Sequence, residues 1–69
     1  MKKFSINLKK IRQQEDMTQQ DMALALRINL STYQGYESLG TRHREPDLEM
    51  IERIADTLNT TIDELVGRS

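Results

Sequence analysis

An all-α fold of five short helices is what this sequence predicts, and three observations predict it. Residues that favour strands are scarce, with one Phe, two Tyr and one Val, and no segment alternates apolar with polar positions. Apolar residues recur instead at spacings of three and four. Ser, Thr, Asn or Asp, the residues whose side chains cap a helix start, stand ahead of each such run.

Ser5 is placed to cap a first helix running to about Glu15, with Phe4, Leu8 and Ile11 on one face and Asp16 closing it. Thr18 opens TQQD, a capping-box pattern with Asp21 in the place of the usual Glu or Gln, so a second helix is expected from Gln19, burying Met22, Ala23 and Leu26. Asn29 or Ser31 can cap a third helix that turns Tyr33 and Tyr36 inward. SLGTRHREPD then reads as a loop ending at Pro46, and Asp47 caps LEMIERIADTLN, where Leu48, Ile51, Ile54, Ala55 and Leu58 share helical spacing. TIDE, from Thr61 to Glu64, is a full capping box for a short last helix with Ile62, Leu65 and Val66 inside and Gly67 as its stop. No repeat or linker interrupts the series, so one domain is expected from about residue 5 to 67.

Composition removes several function classes. The chain has 69 residues and no cysteine, and its one histidine, His43, has no partner at ligand spacing, so neither a disulfide nor a structural zinc site is expected. The longest apolar run, Met22 to Leu26, is far too short to span a bilayer, and MKKFSIN lacks the apolar core of a signal peptide; a soluble, cytoplasmic protein is expected. No nucleophile paired with a base, metal cluster or phosphate-cradling glycine loop appears, so no enzyme activity and no cofactor are expected. Net charge is −1, but residues 1 to 44 carry eight basic side chains against four acidic ones, and residues 45 to 69 carry two against seven. One end of the molecule can therefore face phosphates while the other repels them. A basic tail followed by an ordinary solvated acidic face would give the same pattern, and charge alone does not choose.

The segment INLSTYQGYE narrows the choice. About three residues separate the second helix from the third, the length of the turn in a DNA-binding helix-turn-helix. Ala23 is small enough for the helices to cross closely, Ile28 plugs the turn, and Tyr33 and Tyr36 anchor the third helix from beneath. Leu30, Ser31, Gln34 and Gly35 are left facing outward. Gln34 can pair with adenine, Ser31 with several bases, and Leu30 can lie against a thymine methyl. Gly35 costs roughly 1 kcal/mol of helix stability relative to Ala. It either lets the backbone approach DNA closely or is merely a weak solvent-facing position. Cations come from the following loop, where Arg42 and Arg44 can clamp phosphates.

TQQDMALALRINLSTYQGYE resembles the helix-turn-helix of the lambda-repressor-like, Cro-like group, the XRE family. The resemblance runs from Leu8 to about Val66, taking in LKKIR before the motif and PDLEMIERIADTLNTTIDEL after it. It implies a compact five-helix DNA-binding domain with its helix-turn-helix at about residues 19 to 38. It further implies phosphate contacts by Thr18, Gln19 and Thr32, base reading by Leu30, Ser31 and Gln34, and a structural salt bridge between Arg12 and Glu37. Gly35 stands where many relatives carry a longer reading side chain. Three departures stand out: Arg27 and Asp16 replace common turn glycines at positions that favour positive φ, and the loop from Glu37 to Pro46 is about three residues longer than usual.

Other residues have plainer readings. The spacing of Tyr33 and Tyr36 favours core packing over base stacking, His43 reads as a solvated loop residue, and Met17, Met22 and Met50 fit gap-filling in the core. The function expected is a sequence-specific regulator of transcription, a repressor that binds double-stranded DNA as a homodimer on an inverted repeat. The alternative is a protein-binding module, such as an antitoxin or anti-repressor partner, favoured by the negative net charge, Gly35 and Leu30.

Overall fold

The first helix begins earlier than the capping pattern predicts. In the computed structural model, which describes residues 2 to 68 and of Lys2 the backbone alone, α1 spans Lys2–Gln14. Ser5 is therefore inside the helix and is not its cap. Its side chain is buried, and its hydroxyl donates to the Tyr36 carbonyl at 2.7 Å. That carbonyl lies in the last turn of a later helix, where the backbone has no acceptor role left within the helix, so each group meets the other's need.

The remaining helices are α2 (Gln19–Leu26), α3 (Leu30–Glu37), α4 (Leu48–Thr57) and α5 (Ile62–Val66), with no strand among the described residues. Helix α1 packs on α3 and α5, α2 on α3 and α4, and α4 on α5. Phe4 and Leu8, Met22 and Leu26, Tyr33, Ile54 and Leu58, and Leu65 bring one fully buried side chain or more from every helix into a common core. Met17, Ile28 and Met50 are half-buried against it. Two polar ties span the packing: Arg53 Nη2 donates to the Leu26 carbonyl at 2.5 Å, and Asn7 Nδ2 to the Leu65 carbonyl at 3.3 Å.

Two expectations need correction. Leu48 shares the spacing of the α4 core residues but is 66% exposed. It is the first residue of the helix, and Cα–Cβ bonds tilt toward the N-terminus, so its side chain projects past the end of the core. The TIDE box is half formed: Thr61 accepts from the Glu64 N–H at 3.1 Å, but the Glu64 carboxylate accepts from the Thr60 hydroxyl at 3.0 Å instead of closing the reciprocal bond. Among the described residues, no helix is long and apolar enough to cross a membrane.

Left-handed residues follow every helix except α3, which ends at the extended Ser38. Asp16 (φ 56°), Arg27 (φ 58°), Asn59 (φ 53°) and Gly67 (φ 83°) each turn the chain after a helix. For a residue with a Cβ this region costs roughly 1–2 kcal/mol, while Gly loses about 0.5–1 kcal/mol more than other residues in chain entropy on folding. Arg27→Gly is therefore expected to stabilise the fold by up to about 1 kcal/mol, read as a higher urea midpoint at unchanged m-value. An unchanged or lower midpoint would show that the Arg27 conformation is not strained.

Candidate nucleic-acid interface

The α2–turn–α3 unit is fixed at both of its joints. At the start of α2, Thr18 accepts from the Asp21 N–H at 3.0 Å and the Asp21 carboxylate accepts from the Thr18 N–H at 2.9 Å, which completes a reciprocal cap. At its end the Ile28 N–H returns to the Ala23 carbonyl at 3.0 Å across the left-handed Arg27, as in the motif that glycine usually serves. Asn29, in extended conformation, precedes α3 and makes no side-chain cap. Ala23 is buried at 2% exposure, and the Tyr33 and Tyr36 rings meet edge to face at 6.2 Å.

Under the pair lies one carboxylate. Glu37 Oε2 accepts from Arg12 Nε at 2.7 Å and from the Tyr33 hydroxyl at 2.5 Å, while Oε1 accepts from Arg12 Nη2 at 3.1 Å and from Gln19 Nε2 at 3.2 Å. Arg12 Nη1 also donates to the Met17 carbonyl at 2.7 Å, in the turn between α1 and α2. Burial pushes the Glu37 carboxyl up, but the hydrogen bonds from Arg12, Tyr33 and Gln19 outweigh it and hold the group below its ordinary value. The same contacts raise Arg12, mainly through its hydrogen bond to Glu37, and Tyr33 is raised by burial and then by the adjacent carboxylate.

Outside this hub, Leu30, Ser31 and Gln34 are exposed and Thr32 is half-buried. The Gln34 amide donates to Gln19 Oε1 at 3.3 Å, so a chain of hydrogen bonds runs from the exposed face to Glu37. Gly35 does not face outward as the sequence predicts. It is buried, because Arg44 folds back over it: the Arg44 N–H donates to the Gly35 carbonyl at 3.0 Å and the Arg44 stem lies where a Cβ would stand. His43 is likewise not a solvated loop residue. Half-buried, it places Nδ1 2.8 Å from the Ser38 carbonyl and Nε2 2.9 Å from Glu45 Oε1, which ties down the loop that carries Arg42 and Arg44.

Two adjoining hollows result. One is bounded by Gln19, Ser31, Gln34, Gly35, Ser38, Arg42 and Arg44, the other by Lys9, Arg12, Met17, Thr18, Gln19, Gln20, Leu30 and Gln34. Gln19 and Gln34 form the ridge between them, and no carboxylate lines either one among the described residues. A family model for the helix-turn-helix matches residues 8–65. The chain belongs to the XRE family of helix-turn-helix proteins. Among curated relatives of this XRE-family chain, the uncharacterized HTH-type transcriptional regulator YqaE of Bacillus subtilis (strain 168) is 44% identical over 63 residues, covering 91% of this chain and 52% of that protein. The HTH-type transcriptional regulator AnsR of the same organism is 43% identical over 61 residues, covering 88% of this chain and 50% of the relative. The chain thus spans about half the length of the curated relatives it matches. No solved structure matches it at a significant level.

Around the ridge, this XRE-family fold gathers Thr18, Gln19, Leu30, Ser31, Gln34, Arg42 and Arg44, while Thr32 borders neither hollow. Lys9 joins them although the sequence reading did not single it out. The signal was present: Lys9 precedes Arg12 by one helical turn and so shares its face. The Tyr33 hydroxyl was read only as part of a core ring, and spacing says nothing about which acceptor a buried hydroxyl finds.

Removing Glu37 takes away the acceptor of Arg12 Nε and Nη2 and of the buried Tyr33 hydroxyl. Glu37→Ala is expected to cost about 3–5 kcal/mol, a large share of a small domain's stability. Because Glu37 titrates lower in the folded state than unfolded, its contribution is complete above the ordinary value of 4.5 and is lost as pH falls from there toward the depressed folded value. Urea unfolding between about pH 3 and 7 should show that acid-side loss in the wild type and a flatter profile in Glu37→Gln. Equal slopes would show that the pair does not govern acid stability.

Proposed function

We propose that this chain acts as a sequence-specific, double-stranded-DNA-binding regulator of transcription, a repressor that lays α3 in the major groove of an operator. The observation that carries the reading is the pair of hollows around Gln19 and Gln34, whose linings among the described residues include Lys9, Arg42 and Arg44 and no carboxylate, on a chain whose net charge is −1. A uniformly solvated surface would mix both signs; a face meant for phosphates excludes carboxylates. The names of the two Bacillus subtilis relatives, both HTH-type transcriptional regulators, support the same role.

In this role Thr18, Gln19 and the N-terminal N–H groups of α2 contact one phosphate strand, the eight-residue helix directing its positive end there. Leu30, Ser31 and Gln34 meet base edges, Thr32 contacts backbone, and Lys9, Arg42 and Arg44 supply cations. One copy makes few base contacts, so affinity comes from two copies on an inverted repeat with half-sites about one helical turn apart. The α5 surface is the proposed meeting point, because Ile62 and Val66 are only half-buried there.

Selection from a random duplex library at near-physiological salt should enrich an inverted repeat, and Arg42→Ala should weaken binding to every duplex while lowering the salt slope by about 1. A folded protein that enriches no motif would sink this reading and point to a protein partner.

A further inference from the structure

Gly35 and Ser31 stand one helical turn apart on the exposed side of α3, yet Ser31 is exposed and Gly35 is buried. The difference is Arg44. A Cβ built on Gly35 would sit 2.6 Å from Arg44 Cγ and 2.9 Å from Arg44 Cδ, closer than real carbon atoms approach. The arginine stem therefore occupies the space in which a side chain at position 35 would begin. Its origin is held as well, by the bond from the Arg44 N–H to the Gly35 carbonyl at 3.0 Å. From this anchored start the exposed Arg44 side chain borders the hollow that Gln19, Ser31 and Gln34 also line.

We propose that Arg44 is a base-reading residue: crossing α3 over Gly35, its side chain replaces the one the helix lacks there and pairs with a guanine of the operator. This rests on the DNA-reading function proposed above, and it assigns Arg44 a different task from the phosphate contact that a loop arginine suggests. Two features favour the base. The stem lies against Gly35 of α3 and borders the hollow that the outward Ser31 and Gln34 also line, whereas a phosphate contact needs only a cation at the rim. A stem held at its backbone and along its methylenes also has less freedom to lose on binding, which suits a contact of fixed geometry. The planar guanidinium matches O6 and N7 of guanine with two parallel hydrogen bonds from a rigid fork, a geometry that the flexible lysine ammonium holds less well.

The test repeats the library selection with the wild type, Arg44→Lys, Arg44→Ala and Gly35→Ala, each first shown to be folded by circular dichroism and thermal melting. Expected is a wild-type motif with guanine preferred at one position of each half-site. In Arg44→Lys and Arg44→Ala that preference falls by roughly 5- to 100-fold while the other positions keep theirs. Gly35→Ala, which pushes the arginine stem aside, should relax the same position and no other. If Arg44→Lys retains the whole motif and Arg44→Ala weakens all duplexes alike with a lower salt slope, Arg44 is a phosphate contact and the proposal is overturned. A wild type that enriches no motif overturns the DNA-reading function itself, a result distinct from the last.

Discussion

One buried carboxylate holds the parts of this molecule at their working angles. The two oxygens of Glu37 accept four hydrogen bonds, from two nitrogens of Arg12, from Tyr33 and from Gln19, which is about the full capacity of the group. Those donors come from α1, α2 and α3, so hydrogen bonds to one carboxylate tie the three helices together. Taking a carboxylate and a guanidinium out of water is expensive, and such a pair adds little net stability compared with apolar packing. Its effect is geometric. A core of Met22, Ala23 and Leu26 beneath α2 tolerates small rotations, whereas a saturated set of directional bonds does not. No buried side-chain nitrogen or oxygen among the described residues lacks a partner, so the added cost of an unpaired buried polar group is avoided.

The same cluster reaches the surface. Gln19 divides its amide between Glu37 inside and Gln34 outside, so the exposed face of α3 is coupled to the core by hydrogen bonds. The loop after α3 is joined to that face by different means: a backbone bond at Gly35, the Arg44 stem packed over it, and His43 between Ser38 and Glu45. A long loop usually carries its cations loosely. Here three anchors made by the adjacent residues His43 and Arg44 remove most of that freedom, and glycine at position 35 is what permits the close approach.

The helices were legible in the sequence where local chemistry decides them. Thr18 and Asp21, Asp47 and Gly67 mark ends that form as their residue types require. The left-handed Asp16 and Arg27 were legible as departures from glycine, since the turn geometry persists even when the residue is less suited to it. Legibility failed where a distant partner outcompeted the local one. Ser5 has the right identity and place for a cap but bonds to Tyr36, 31 residues away, because burial makes that carbonyl the more demanding acceptor. Leu48 has the right spacing for the core but sits at a helix end that the core does not reach.

The candidate site divides along the same line. Outward positions on α3 follow from the helical period, which is why Leu30, Ser31 and Gln34 were legible as exposed. The fate of Gly35 was not, because nothing in its own segment says that a residue nine positions later will lie across it. Net charge misleads for a related reason. It sums over the whole chain, while a phosphate approaching the molecule meets only one face. The acids that make the total negative lie mainly on α4 and α5, beyond the hollows that Gln19 and Gln34 divide. At physiological salt, charges are screened over about 8 Å, so carboxylates on the far side weaken the attraction little while still disfavouring approach from the wrong direction. A slightly acidic chain is therefore compatible with the proposed phosphate contacts, and the separation of charge along the chain would supply orientation that a uniformly basic surface would not.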